Sequence, residues 1–107
     1  MKLNVYSIFD SAANAFNPPF YLQNDGLAIR AFQNNVNDES TNINKNPDQF
    51  TLYQIGEYDD NKGALIPIDP KSLGNGVTFV TEKRYTTQEV VDTLLEIKSL
   101  ISGETLQ

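Results

Sequence analysis

Carboxylates stand in two adjacent pairs, Asp38 with Glu39 and Asp59 with Asp60, and the chain carries five tyrosines. These are the side chains whose types and spacing bear on chemistry. Paired carboxylates do acid–base work or hold a hard cation only in a shaped cleft, with one pKa raised. Both pairs fall in stretches that read as turns, where solvated carboxylates are the rule. Asp59, Asp60 and Asn61 resemble the start of a calcium loop but lack its spaced acidic ladder and terminal Glu. The chain has no His and no Cys among its 107 residues, which excludes the commonest general base, the commonest metal ligand, thiolate nucleophiles and disulfides. No glycine-rich run leads into a helix with a following Lys–Ser or Lys–Thr, and Gly74 and Gly76 read as a tight turn. The expectation is a protein that is not an enzyme and uses no metal or cofactor.

The aromatic residues are more informative. Tyrosine stacks on nucleobases while tolerating water. Tyr6, Tyr21, Tyr53 and Tyr58 are expected along one sheet face, with Arg30, Lys45 or Lys83 near it; Lys83 and Arg84 are the one adjacent pair among the eight Lys and Arg. These residues form the candidate nucleic-acid-binding set. The competing reading, which the residues alone favour, is that the tyrosines are half-buried core groups with hydroxyls at the rim. A net charge of −6 weighs against general nucleic-acid binding, whose affinity comes mostly from cations neutralising phosphates.

The elements that must position these residues are legible as a small α+β domain. Residues 2–10 alternate, with Leu3, Val5, Ser7 and Phe9 on one face and Tyr6 and Ile8 on the other, as in a central strand. Small residues and the Pro18–Pro19 pair break it, and Phe20, Tyr21 and Leu22 are expected to pack against the sheet. Asn24 or Asp25 caps a helix running to about Asn37, with Ala28, Ile29, Phe32 and Val36 inward and Arg30 outward. Residues 38–49 read as a polar connection. Two apolar runs around a polar tract ending in Gly63 read as a hairpin, with Phe50, Leu52 and Tyr58 on one face and Tyr53 and Ile55 on the other. Large apolar groups on both faces suit a strand covered on both sides, and Pro67 places the return strand at an edge or a bulge. Residues 69–76 read as a turn and residues 77–80 as one more short strand.

The clearest helix signal begins at Thr86, followed by Glu89 at capping-box spacing, and ends at Gly103. Val90, Leu94, Ile97 and Ile101 recur at spacings of four, three and four, the seam of a two-helix coiled coil, widened by Val91, Leu95 and Leu100. This helix either packs on its own sheet or forms a homodimer. No apolar run approaches the ~20 residues that span a bilayer, and the N-terminus lacks a signal-peptide pattern, so a soluble intracellular protein is the default.

Three segments, VYSIFDSAANAFNPPF, GLAIRAFQNNVND and NPDQFTLYQIGEYDD, stand in that order over residues 5–60. In this the chain resembles the small nonstructural protein of gokushovirus-type microviruses, tailless bacteriophages with single-stranded circular DNA genomes. The resemblance covers about residues 1–84 and rests on Tyr6, Asp10, Pro18, Pro19, Arg30, Phe50, Tyr53, Gly56 and Asp60 among others. It implies a part in single-stranded DNA synthesis or packaging, in the cytoplasm of the infected bacterial host.

The combined expectation is an antiparallel sheet of about four strands with one helix packed on it, over residues 1–84, and an amphipathic helix in residues 85–107. The expected function is an accessory phage protein acting in genome replication or packaging, by weak single-stranded DNA binding or by binding the replication machinery. The alternative is an acidic protein–protein adaptor that dimerises or docks through its C-terminal helix and does not bind DNA.

Overall fold

Alternation along β1 (Lys2–Asp10) divides its side chains between two unlike environments. Tyr6 and Ile8 point to the buried side, and Leu3, Val5, Ser7 and Phe9 point to the opposite side. The computed structural model describes residues 1–81, and in them β1 has partners along both edges. On one edge lies β4 (Phe50–Asp59), antiparallel from Lys2↔Asp59 to Asp10↔Phe50. The other edge is shared by β2 (Ala15–Phe16), paired with Phe9 and Asp10, and β3 (Phe20–Leu22), paired with Asn4 to Tyr6. β5 (Ala64–Asn75) pairs with the far edge of β4. The sheet therefore has five antiparallel strands in the order β2-β1-β4-β5, with β3 also on β1.

The additional strands come from a stretch whose sequence reads as a break. The Asp10 carboxylate accepts the Ala12 and Ala13 amides at 3.0 and 3.3 Å, and Asn14 takes the left-handed conformation at φ 53°. Asn is among the few residues that tolerate this in a tight turn. The chain so reversed lays Phe16 beside Phe9.

Helix α1 (Asp25–Val36) covers one face of the sheet. The Asn24 side chain accepts the Leu27 amide at 2.9 Å, satisfying one of the helix's free donors. Ala28, Phe32 and Val36 form its buried stripe and meet Tyr6, Ile8, Phe50 and Leu52. Burial of Phe32 or Leu52, both essentially without exposure, contributes about 1.5–3 kcal/mol each. Among the described residues no helix covers the other face.

Other differences from expectation have physical reasons. The alternation of β4 is interrupted: Val5 pairs with Gly56 but Tyr6 pairs with Gln54, leaving Ile55 without a partner on β1. This bulge shifts the faces by one position. Tyr58, opposite Leu3, thus joins Tyr53, opposite Ser7, and does not share the face of Phe50 and Leu52. β5 runs through residues 69–75, expected as a turn, because an edge strand tolerates Pro67 and Pro70, and shifts in register absorb the extra residues. Residues 77–80 do not form a strand. Gly76–Phe79 is a 3-10 turn, started by the Asn75 side chain, which accepts the Val77 amide at 3.0 Å. It lays Phe79 over Gly74, where a Cβ would lie 2.7 Å from the ring. In the polar connection, α2 (Asn42–Lys45) is capped by Thr41 and followed by a 3-10 turn, Pro47–Gln49. Ile43 packs on the core. The helix expected over residues 86–102, with Val90, Leu94, Ile97 and Ile101, lies outside the described residues, as do Lys83 and Arg84.

Candidate nucleic-acid interface

The sheet face turned away from α1 carries the exposed aromatic groups. Strand pairing places Leu3, Val5, Ser7 and Phe9 of β1, Phe16 of β2, Tyr21 of β3, and Tyr53 and Tyr58 of β4 on it. Two clusters result. Phe16 lies between Phe9 and Tyr53, with ring centroids 4.9 and 5.6 Å away, and Tyr21 meets Tyr58 edge-on at 5.8 Å. Along β1 the clusters are roughly 13 Å apart, the rise of the four residues from Leu3 to Ser7. Phe16 and Tyr21 keep 46% and 43% of their surface exposed.

Between the clusters is a cleft of about 220 Å³ lined by Val5, Pro19, Tyr21, Ile55, Leu65 and Pro67 among others. Tyr21 and Leu65 also border a second depression beside Tyr58 and Gly63. Pro19 is held there from below. Ser7 Oγ donates to the Asn17 carbonyl at 2.6 Å, and the Asn17 amide donates to the Ile8 carbonyl at 2.8 Å. Gly56 allows β5 to approach β4, since a Cβ would lie 2.8 Å from the Ile66 carbonyl oxygen.

Every side chain that pairing places on this face is uncharged. In a chain of net charge −6, that is a local exception. The charged groups sit elsewhere. Arg30 is exposed on α1 and Lys45 on α2, both on the helix side of the sheet, and neither forms an ion pair among the described residues. The structure does not bring them to the aromatic face. Lys71 bonds Asp25 on the helix side at 3.0 Å.

Tyr6 does not belong to the exposed set. It is fully buried, because position 6 falls on the α1 side of β1. Its hydroxyl donates to Asp25 Oδ1 at 2.7 Å and accepts from Asn4 Nδ2 at 3.0 Å, which joins β1 to the first turn of α1. Burial, with the Asp25 hydrogen bond, pushes the Tyr6 phenol up to about 12. The same bond, followed by that from Lys71, holds the Asp25 carboxyl below its ordinary value.

The carboxylate pairs are engaged in turns. Asp38 accepts Ser40 Oγ at 2.7 Å and the Ser40 amide at 2.9 Å, which lowers its pKa. Asp59 accepts the Asn61 amide, and Asp60 pairs with the N-terminal amine at 2.7 Å. Among the described residues no group of three or more acidic side chains is placed to hold a metal ion, and no described helix is long and apolar enough to cross a membrane. Phe9, Phe16, Pro19, Leu65 and Pro67 are absent from the set read from the sequence. For Phe9 and Phe16 the local signal is Asp10 and Asn14 flanking a short turn, a hairpin cue.

The family described as Phage ORF5 protein matches residues 3–79, the span of sheet, helix and closing 3-10 turn. The chain belongs to that family. Protein ORF5 of Chlamydia phage 1 is 31% identical over 96 residues, covering 84% of this chain and all of that protein. The likeness to small gokushovirus-type proteins seen in the sequence thus holds, and this phage protein is made in the infected host cell. No solved structure matches. The family match ends at Phe79, two residues short of the last described position.

Proposed function

We propose that this phage protein is non-catalytic and acts in single-stranded DNA genome replication or packaging, binding unpaired DNA weakly through the face opposite α1. The observation that carries this reading is the pair of partly exposed aromatic clusters, Phe9–Phe16–Tyr53 and Tyr21–Tyr58, on a face where strand pairing places no charged side chain. Unpaired bases offer π-faces to such rings whatever their sequence, and each stacked base is worth about 1–3 kcal/mol. With Glu57 the one carboxylate lining the cleft, this face spares the phosphates most of the repulsion that the rest of an acidic protein would impose. Duplex DNA hides its base faces and is not expected to bind.

With so few cations nearby, affinity should be micromolar or weaker and its salt dependence shallow. Fluorescence anisotropy on a labelled single-stranded oligonucleotide tests this. Saturable binding that Tyr53→Ala weakens by about 1–3 kcal/mol supports the reading; no binding at low salt and high protein concentration overturns it.

The rival is a protein–protein adaptor that docks or dimerises through residues 86–102 and never touches DNA. The net charge of −6 favours it. Light scattering on the full chain, with and without Leu94→Glu, separates a dimer from a monomer.

A further inference from the structure

Binding by ring stacking is indifferent to base identity, but the cleft beside Tyr21 is not. Val5, Pro19, Ile55, Leu65 and Pro67 make its wall almost wholly apolar, and Glu57 is its one acidic lining residue. A cleft of about 220 Å³ with that lining admits a flat, weakly polar group and repels a phosphate. Tyr21 lines the cleft and keeps 43% of its surface exposed, so a base stacked on it turns one edge toward Leu65 and Pro67.

The bases differ at that edge. Guanine, adenine and cytosine present donors and acceptors that an apolar wall leaves unpaired, whereas thymine presents a methyl group beside a single carbonyl. Stranding a polar group out of water is unfavourable; burying a methyl group is favourable. We propose that this cleft receives the methyl edge of a thymine, so that the protein prefers thymine-bearing single strands and discriminates DNA from its uracil counterpart. The inference rests on reading the aromatic face as a site for unpaired DNA.

The test compares oligo(dT) with oligo(dU) of equal length, binding the full chain in anisotropy titrations at low salt. The two ligands carry the same backbone charge and differ only in the methyl group. Oligo(dT) should bind about fourfold tighter, the value of one buried methyl. Leu65→Asn should bring that ratio to about one, by weakening oligo(dT) more than oligo(dU). Leu65 is 63% exposed, so the variant keeps its fold. Tyr53→Ala, in the other cluster, should weaken both ligands equally and preserve the ratio. Equal affinity of the wild type for oligo(dT) and oligo(dU) overturns the thymine cleft while leaving DNA binding intact. Absence of binding to either overturns both. A concentration-dependent dimer that Leu65→Asn abolishes, with equal oligonucleotide affinities, would assign the cleft to a second copy of the chain and overturn the inference.

Discussion

Tyr53 and Tyr58 lie on the same face of β4 although an odd number of positions separates them, because Ile55 between them has no partner on β1. The bulge thus lets the second aromatic cluster share a face with the first. Deleting Ile55 should remove the bulge and leave Tyr53 and Tyr58 four positions apart, so strict alternation keeps both on this face. The Tyr21–Tyr58 ring contact should then persist in nuclear Overhauser spectra, and oligonucleotide affinity should stay within about twofold. A deletion variant that loses the ring contact would show that the strand re-pairs in another register.

The Tyr6–Asp25 hydrogen bond predicts a pH profile. Asp25 has a folded pKa below its usual 3.8, so its contribution is complete above that value and is lost as pH falls through the folded pKa. Tyr6 is raised from 10.0 to about 12, so its contribution is complete below about pH 10 and is lost as pH rises through about 12. Denaturant midpoints should therefore fall at both ends of that range. Tyr6→Phe removes the donor and should cost roughly 1–2 kcal/mol near neutrality, discounted because Asp25 is partly solvated. It should also flatten both limbs. A Tyr6→Phe profile parallel to the wild type would show that other groups set the pH limits.

Asn37 ties the C-terminal end of α1 to the chain that follows β5. Its Nδ2 donates to the Gln33 and Phe79 carbonyls, both at 2.9 Å, and its Oδ1 accepts the Thr81 amide and hydroxyl, both at 3.0 Å. Asn37→Ala should destabilise the protein by about 1–3 kcal/mol and speed hydrogen exchange at the Thr81 amide. Unchanged exchange at Thr81 would mean that the Phe32–Phe79 ring contact at 5.7 Å holds the segment unaided.

Arg30 and Tyr53 stand on opposite sides of the sheet. If the aromatic face binds DNA, Arg30→Ala should leave oligonucleotide affinity within about twofold while Tyr53→Ala weakens it by about 1–3 kcal/mol. The reverse pattern in paired titrations would move the interface to the helix side.

How much of this was legible depended on whether the signal was local. The stripe of Ala28, Phe32 and Val36, the Asn24 cap, the alternation of residues 2–10 and the edge character of Pro67 all depend on near neighbours, and the structure has them. Which side of β1 is buried is not a local property, so residue type groups Tyr6 with the exposed tyrosines although it lies under α1. The bulge at Ile55 arises from pairing between strands far apart in sequence, and no residue type at 55 announces it. The length of β5 is hidden because Pro67, Pro70 and Gly74 are strand breakers except at an edge. At the aromatic face, Tyr21, Tyr53 and Tyr58 were found from their type. Phe16 was not, because its place depends on a turn at Asn14.

The strand order also sets a timetable for folding. β1 leaves the ribosome first and can pair at once with β2 and β3, which follow it closely. Its opposite edge must wait for β4, since Lys2 pairs with Asp59. Until then a nascent chain holding β1, β2, β3 and α1 shows an open strand edge and an incomplete core, the kind of surface on which chains associate wrongly. Crowding by other nascent chains would endanger this protein at that interval more than at any point after β4 has docked.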